Sequence, residues 1–97
     1  MAVGMAWYRR ETYSVCLDLF SDADQLPSTY DDWLVIAKQT EQDLKRRGIN
    51  VVRAVIEPEA FRWWCADHGH AKIDTKARTD FANEVAAKHL TGHTSDS

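Results

Sequence analysis

Apolar and polar residues alternate from Thr12 to Phe20, TYSVCLDLF, with Tyr13, Val15, Leu17 and Leu19 on one face and Ser14, Cys16 and Asp18 on the other. A period of two over that length predicts a half-buried strand. SDADQLPS then supplies turn formers, and Ser28 with Asp31 three residues later approximates a capping box, which predicts a helix from about Ser28. No Gly or Pro interrupts residues 30 to 47, and Tyr30, Trp33, Ala37, Thr40 and Leu44 recur at helical spacing as a buried stripe. Lys45, Arg46 and Arg47 then sit where cations favour a helix C-terminus, with Gly48 free to turn left-handed and Ile49 to fold back on Leu44.

NVVRAVIE, residues 50 to 57, reads as a second strand, β-branched, with Val52, Ala54 and Ile56 facing one way and Val51, Arg53 and Val55 the other. Pro58 stops it and suits the first position of a helix that ends at Gly69. Asp74 is a candidate N-cap for a last helix through about His89, with Ala77, Phe81, Ala82 and Val85 as its apolar stripe. The order β-α-β-α-α predicts a small α+β domain: a short parallel sheet with helices packed on one face. Residues 1 to 97 form one domain, with an ordered core from about 7 to 91 and loose tails at 1–5 and 92–97; Met5 is an alternative start. A two-stranded sheet is marginal in water, so residues 6 to 11, AWYRRE, should extend the first strand or form a third, or a second copy should complete the sheet. A homodimer is the preferred expectation, since open edges are a liability and symmetric dimers are the commonest oligomers.

Composition narrows the function classes. The chain is 44% hydrophobic and 28% charged, which are the values of a folding domain. A net charge of −3 opposes non-specific attraction to phosphate backbones, so nucleic acid is disfavoured; Arg9, Arg10 and Lys45 to Arg47 are the cations that would carry such binding. No apolar run approaches the ~20 residues of a membrane span. Two distant cysteines and no basic segment leading into an apolar one predict a reduced, cytoplasmic protein.

Candidate chemistry concentrates in FRWWCADHGH, residues 61 to 70. Cys65, His68 and His70 read as C-x-x-H-x-H, in which two ligands could share a helix face, but a structural zinc needs two more. Helical spacing instead places Phe61, Trp64, Cys65 and His68 on a core-facing stripe, and burial there would raise the thiol pKa. Neither a metal nor a catalytic residue is therefore expected, and no cofactor. Trp63 projects about 200° from Phe61 and is either covered by another part of the chain or exposed as an interface residue. Arg78 falls within the last helix's apolar stripe, so it should pair with Asp74, Glu84 or a carboxylate elsewhere, or reach a ligand anion. Trp63, Arg78 and Arg53 are the interface or ligand candidates.

QLPSTYDDW, VIEPEAFRWWC and KARTDFANE together resemble a group of small bacterial proteins sharing P-x-x-Y-x-x-W, P-E-x-F-x-x-W-C and A-R-x-x-[FY]-A elements over residues 21 to 90. Some proteins of this general kind travel on mobile gene cassettes of integrons. The resemblance implies that Tyr30, Trp33, Phe61, Trp64, Cys65 and Arg78 belong to one pattern, and it implies no activity. The expected function is a non-enzymatic, homodimeric interaction or small-ligand-binding module. The alternative is a thiol- or metal-dependent enzyme or metal-binding protein centred on Cys65, His68 and His70.

Overall fold

The computed structural model describes residues 2–95, with side chains through residue 89; Met1 and residues 96–97 lie outside the described residues. The fold is α+β, as expected, but its first half is assembled differently. Strand β1 is Ala2–Trp7, a segment expected to be mostly a loose tail, and it pairs in parallel with β2, Asn50–Val55. Between them lie a 3-10 turn at Arg10–Thr12, helix α1 at Tyr13–Leu19, a second 3-10 turn at Ala23–Gln25, and helix α2 at Tyr30–Arg46. Helices α3, Pro58–Asp67, and α4, Thr75–Ser95, follow β2. The part of the predicted 92–97 tail that is described thus continues α4.

The predicted strand at Thr12–Phe20 is a helix. TYSVCLDLF satisfies two periods at once: read by threes and fours, Tyr13, Cys16, Leu17 and Phe20 form a helical stripe. That stripe is the one buried, with Cys16 at 0% exposure, whereas Val15, inward-facing on the strand reading, is 51% exposed. AVGMAW makes the better strand because it meets β2 residue for residue, from Ala2 opposite Asn50 to Trp7 opposite Val55. The ladder continues past the strands through the Ile56 N–H, which donates to the Trp7 carbonyl at 2.8 Å.

Side chains alternate across the two strands, so Gly4, Ala6, Val52 and Ala54 share one face and Met5, Trp7, Arg53 and Val55 the other. Helices cover both faces, not one. On the first, α4 lies so close that a Cβ added to Gly4 would stand 1.8 Å from the Ala82 carbonyl oxygen. On the second, Trp7 packs edge-on against Trp33 of α2 at 5.0 Å. Parallel strands need such two-sided cover, because neither face can be left to water.

Helix boundaries follow their end chemistry. Thr29, not Ser28, caps α2, its hydroxyl accepting from the Asp32 N–H at 3.2 Å. Asp74 caps α4 as expected, accepting from the Ala77 N–H at 3.2 Å. Helices α2 and α3 end alike, with Gly48 at φ 79° and Gly69 at φ 74°. In both, the residue after the glycine donates back to the helix: Ile49 to the Leu44 carbonyl at 3.1 Å and His70 to the Cys65 carbonyl at 2.9 Å. The HGH of FRWWCADHGH is therefore a helix terminus. Along α2 the buried stripe is Trp33, Ala37 and Glu41, and Thr40 turns outward to bond the Ile36 carbonyl.

Candidate functional site

The open side of β1 forms the floor of a groove. Among the described residues, no backbone hydrogen bond joins β1 to anything but β2 and its continuation at Ile56, so its other edge is unpaired. The groove of about 310 Å³ is lined by Gly4, Met5 and Ala6 along that edge, by Leu26 and Trp33 on the α2 side, and by Arg78, Thr79 and Ala82 on the α4 side. Three consecutive strand residues can line one groove only if it meets the strand edge-on, since their side chains alternate between faces. The groove is thus the space the sheet would next occupy, roofed on both sides by helices.

One end of the groove is built around Arg78. The guanidinium, buried, donates to both oxygens of Asp22 at 2.8 and 2.9 Å and to the Thr75 hydroxyl at 3.0 Å, and it lies 4.5 Å above the Phe20 ring. Asp22 also accepts from the Thr75 hydroxyl and backbone N–H, which ties the loop after α1 to the start of α4. These hydrogen bonds, Arg78 foremost, hold the Asp22 carboxyl well below the usual carboxylate range. Beside them the Tyr8 phenol, another groove residue, is pushed well above its ordinary pKa by burial. Arg78 therefore has its carboxylate, on a residue 56 positions away rather than on its own helix.

Arg53 is also paired. Its guanidinium donates to both oxygens of Glu41 at 2.7 and 2.8 Å while lying 3.9 Å over the Trp7 ring, so it seals the α2-covered face of the sheet. The hydrogen bonds from Arg53 keep the Glu41 carboxyl below its ordinary pKa. Trp63 is 62% exposed: neither α2 nor the N-terminal segment covers it. It contributes nothing to the β1 groove.

The residues of the metal and thiol alternative are brought near one another but are otherwise engaged. Cys65 is buried, and that burial raises its pKa, the reverse of what a nucleophile or ligand requires. His68, assigned to the core stripe by spacing, is instead exposed and stacks on the Trp64 indole at 4.1 Å, with its Nδ1 2.8 Å from the Trp64 carbonyl. His70 lies nearly parallel to the same indole at 5.6 Å and reaches Asp80 at 3.3 Å. Trp64 Nε1 donates to Glu84, which also approaches His68 at 3.5 Å. These side chains cross-link α3 to α4. Among the described residues no group of three or more His, Cys, Asp or Glu is placed to hold a metal ion.

Sequence reasoning missed Gly4, Tyr8 and Asp22. The apolar run AVGMAW was the available signal for a strand, and a glycine inside it for close backbone approach. Nothing local could have joined Asp22 to Arg78. No family model, curated protein or solved structure matches this chain.

Proposed function

We propose that this protein is a non-enzymatic interaction module that associates with a second copy of itself through the open edge of β1. The carrying observation is the groove of about 310 Å³ that continues the sheet past β1 between two helical layers. Natural edge strands are protected by lysines, prolines, bulges or covering segments. AVGMAW has no charged residue and no proline, whereas β2 carries Arg53. A two-fold axis through the groove would pair β1 with its symmetry mate antiparallel, giving a four-stranded sheet in the order β2-β1-β1-β2. The two β1 strands would then become the interior of that four-stranded sheet, with a β2 at each edge.

Both thiols are free and buried, in keeping with a reducing, cytoplasmic setting, and among the described residues no helix is long and apolar enough to cross a membrane. The thiol- or metal-dependent alternative has no supporting observation, since Cys65 is buried among apolar groups.

Light scattering coupled to size exclusion tests the association, with a mass twice the 11.1 kDa of one chain expected. Val3→Lys is the diagnostic variant. Val3 lies on the edge strand outside the main core cluster, so a lysine there should leave the fold intact and block strand addition. A native protein of single-chain mass at tens of micromolar, about the range of a weak specific complex, would sink the reading.

A further inference from the structure

Helices α1 and α3 enclose a second and larger groove, of about 530 Å³, on a part of the molecule that shares no lining residue with the β1 edge. Its apolar walls are Val15, Leu19 and Pro58, and its rim carries Asp18, Glu57, Glu59 and Arg62. The size falls within the range of about 300–1,000 Å³ typical of ligand sites.

Two features single this groove out. Val15, one of the four large hydrophobic residues exposed among those described, lines its wall. Trp63 does not line it: helical geometry turns Trp63 about 160° from both Phe61 and Cys65, straight away from the core. The second feature is charge. Arg9 engages Glu57 at 3.0 Å, which leaves Asp18 and Glu59 as rim carboxylates with no ion pair among the described residues, against a single unpaired guanidinium at Arg62. On a chain of net charge −3 this balance attracts a cation. No metal fits, because no cluster of carboxylates converges.

We infer that the α1–α3 groove docks a basic amphipathic helix of a partner protein. Aliphatic side chains on one face of that helix enter between Val15, Leu19 and Pro58. Lysine or arginine residues on its borders meet Asp18 and Glu59, and an acidic residue meets Arg62. A groove between two helices accepts a third by the same ridge packing that joins helices within a core, and bordering charges set orientation and encounter rate. The inference is independent of strand addition at β1.

The test uses the full chain and a labelled peptide with leucines at helical spacing on one face and lysines on the other, beside a peptide of the same pattern with glutamate for lysine. Fluorescence anisotropy should show saturable binding of the lysine peptide, weakening as salt rises, and no binding of the glutamate peptide. The double variant Asp18→Lys/Glu59→Lys, both positions exposed, should bind about tenfold more weakly, as should Val15→Asp. Asp24→Lys/Asp67→Lys changes net charge equally away from the groove and should bind as the native protein does. Equal losses in the two double variants would reduce the effect to bulk charge and overturn the proposal. So would unchanged binding by Val15→Asp, or binding of both peptides alike.

Discussion

A Cβ added to Gly4 would stand 1.8 Å from the carbonyl oxygen of Ala82, so β1 and α4 touch backbone to backbone. No rotamer change could relieve that contact, because both partners are main chain. Gly4→Ala must push the strand and helix apart, at a cost of about 3 kcal/mol, the upper part of the range for overpacking. Gly48→Ala is the comparison: its added methyl meets nothing within 4 Å, and only the left-handed φ of 79° is penalised, at about 1 kcal/mol. Urea denaturation should rank the two variants in that order.

The pair Arg78–Asp22 predicts a pH dependence. Because the folded pKa of Asp22 is depressed, its contribution is complete above the ordinary carboxyl value of about 4 and drains as pH falls below it. Asp22→Asn should cost about 3 kcal/mol at neutral pH, since it leaves a buried guanidinium without its counter-charge. The gap between the variant and the native protein should then narrow on acidification. A difference that is constant from pH 7 to about pH 2 would show that the charge of Asp22 is not what matters.

Burial pushes the Cys16 thiol up to about 11, with the nearby Glu57 charge adding to it, and raises Cys65 as well. Neither should react with a disulfide reagent at pH 8 at the rate of an ordinary thiol, and both should react on unfolding. The sign for stability is opposite to that of Asp22. Above about pH 8.5 the unfolded chain releases these protons and the folded one keeps them, so stability falls as pH rises. Rapid labelling of either cysteine in the native protein would contradict the packing described.

Adjacent tryptophans should behave differently. Trp64→Phe removes the donor to Glu84 and weakens the stack with His68 and His70, costing about 2 kcal/mol as expected for a hydrogen bond to a charged group. Trp63→Ser removes an exposed side chain and should change stability by no more than about 0.5 kcal/mol. Thermal unfolding of the two variants distinguishes them directly.

Arg53→Lys tests the guanidinium clamp between Glu41 and Trp7. An ammonium cannot bond both carboxylate oxygens and lie flat on the indole at once. The guanidinium is partly solvated, so the loss should be modest, about 1 kcal/mol. An unchanged midpoint would mean that the pair contributes nothing beyond its geometry.

Much of the helical part of this protein was legible locally. Residues 30 to 46 lack any breaker and repeat apolar groups at helical spacing; Pro58 and Asp74 start helices, and Gly48 and Gly69 end them, because these effects act within one turn of chain. Strand β2 was readable for the same reason: its β-branched run lies between two such signals. The α+β class came out right although one of the two strands behind it was misplaced: the strand that pairs with β2 is Ala2–Trp7, not Thr12–Phe20. Buried Cys65, and an Arg78 in need of a carboxylate, also followed from spacing alone.

What only the tertiary structure decided is which elements meet. TYSVCLDLF fits a strand or a helix by pattern, and the choice fell to helix because Tyr13, Cys16 and Phe20 are buried together as one stripe while AVGMAW takes the place beside β2. Asp22 became the partner of Arg78, and Glu41 that of Arg53, through contacts that no window of sequence spans. The candidate site shares that origin: an unpaired strand edge exists only once strands are paired, and a groove only once helices flank it. Periodicity records what each residue does to its own helix or strand; the sites arise from packing between elements distant in the chain, where burial and charge pairing are settled jointly.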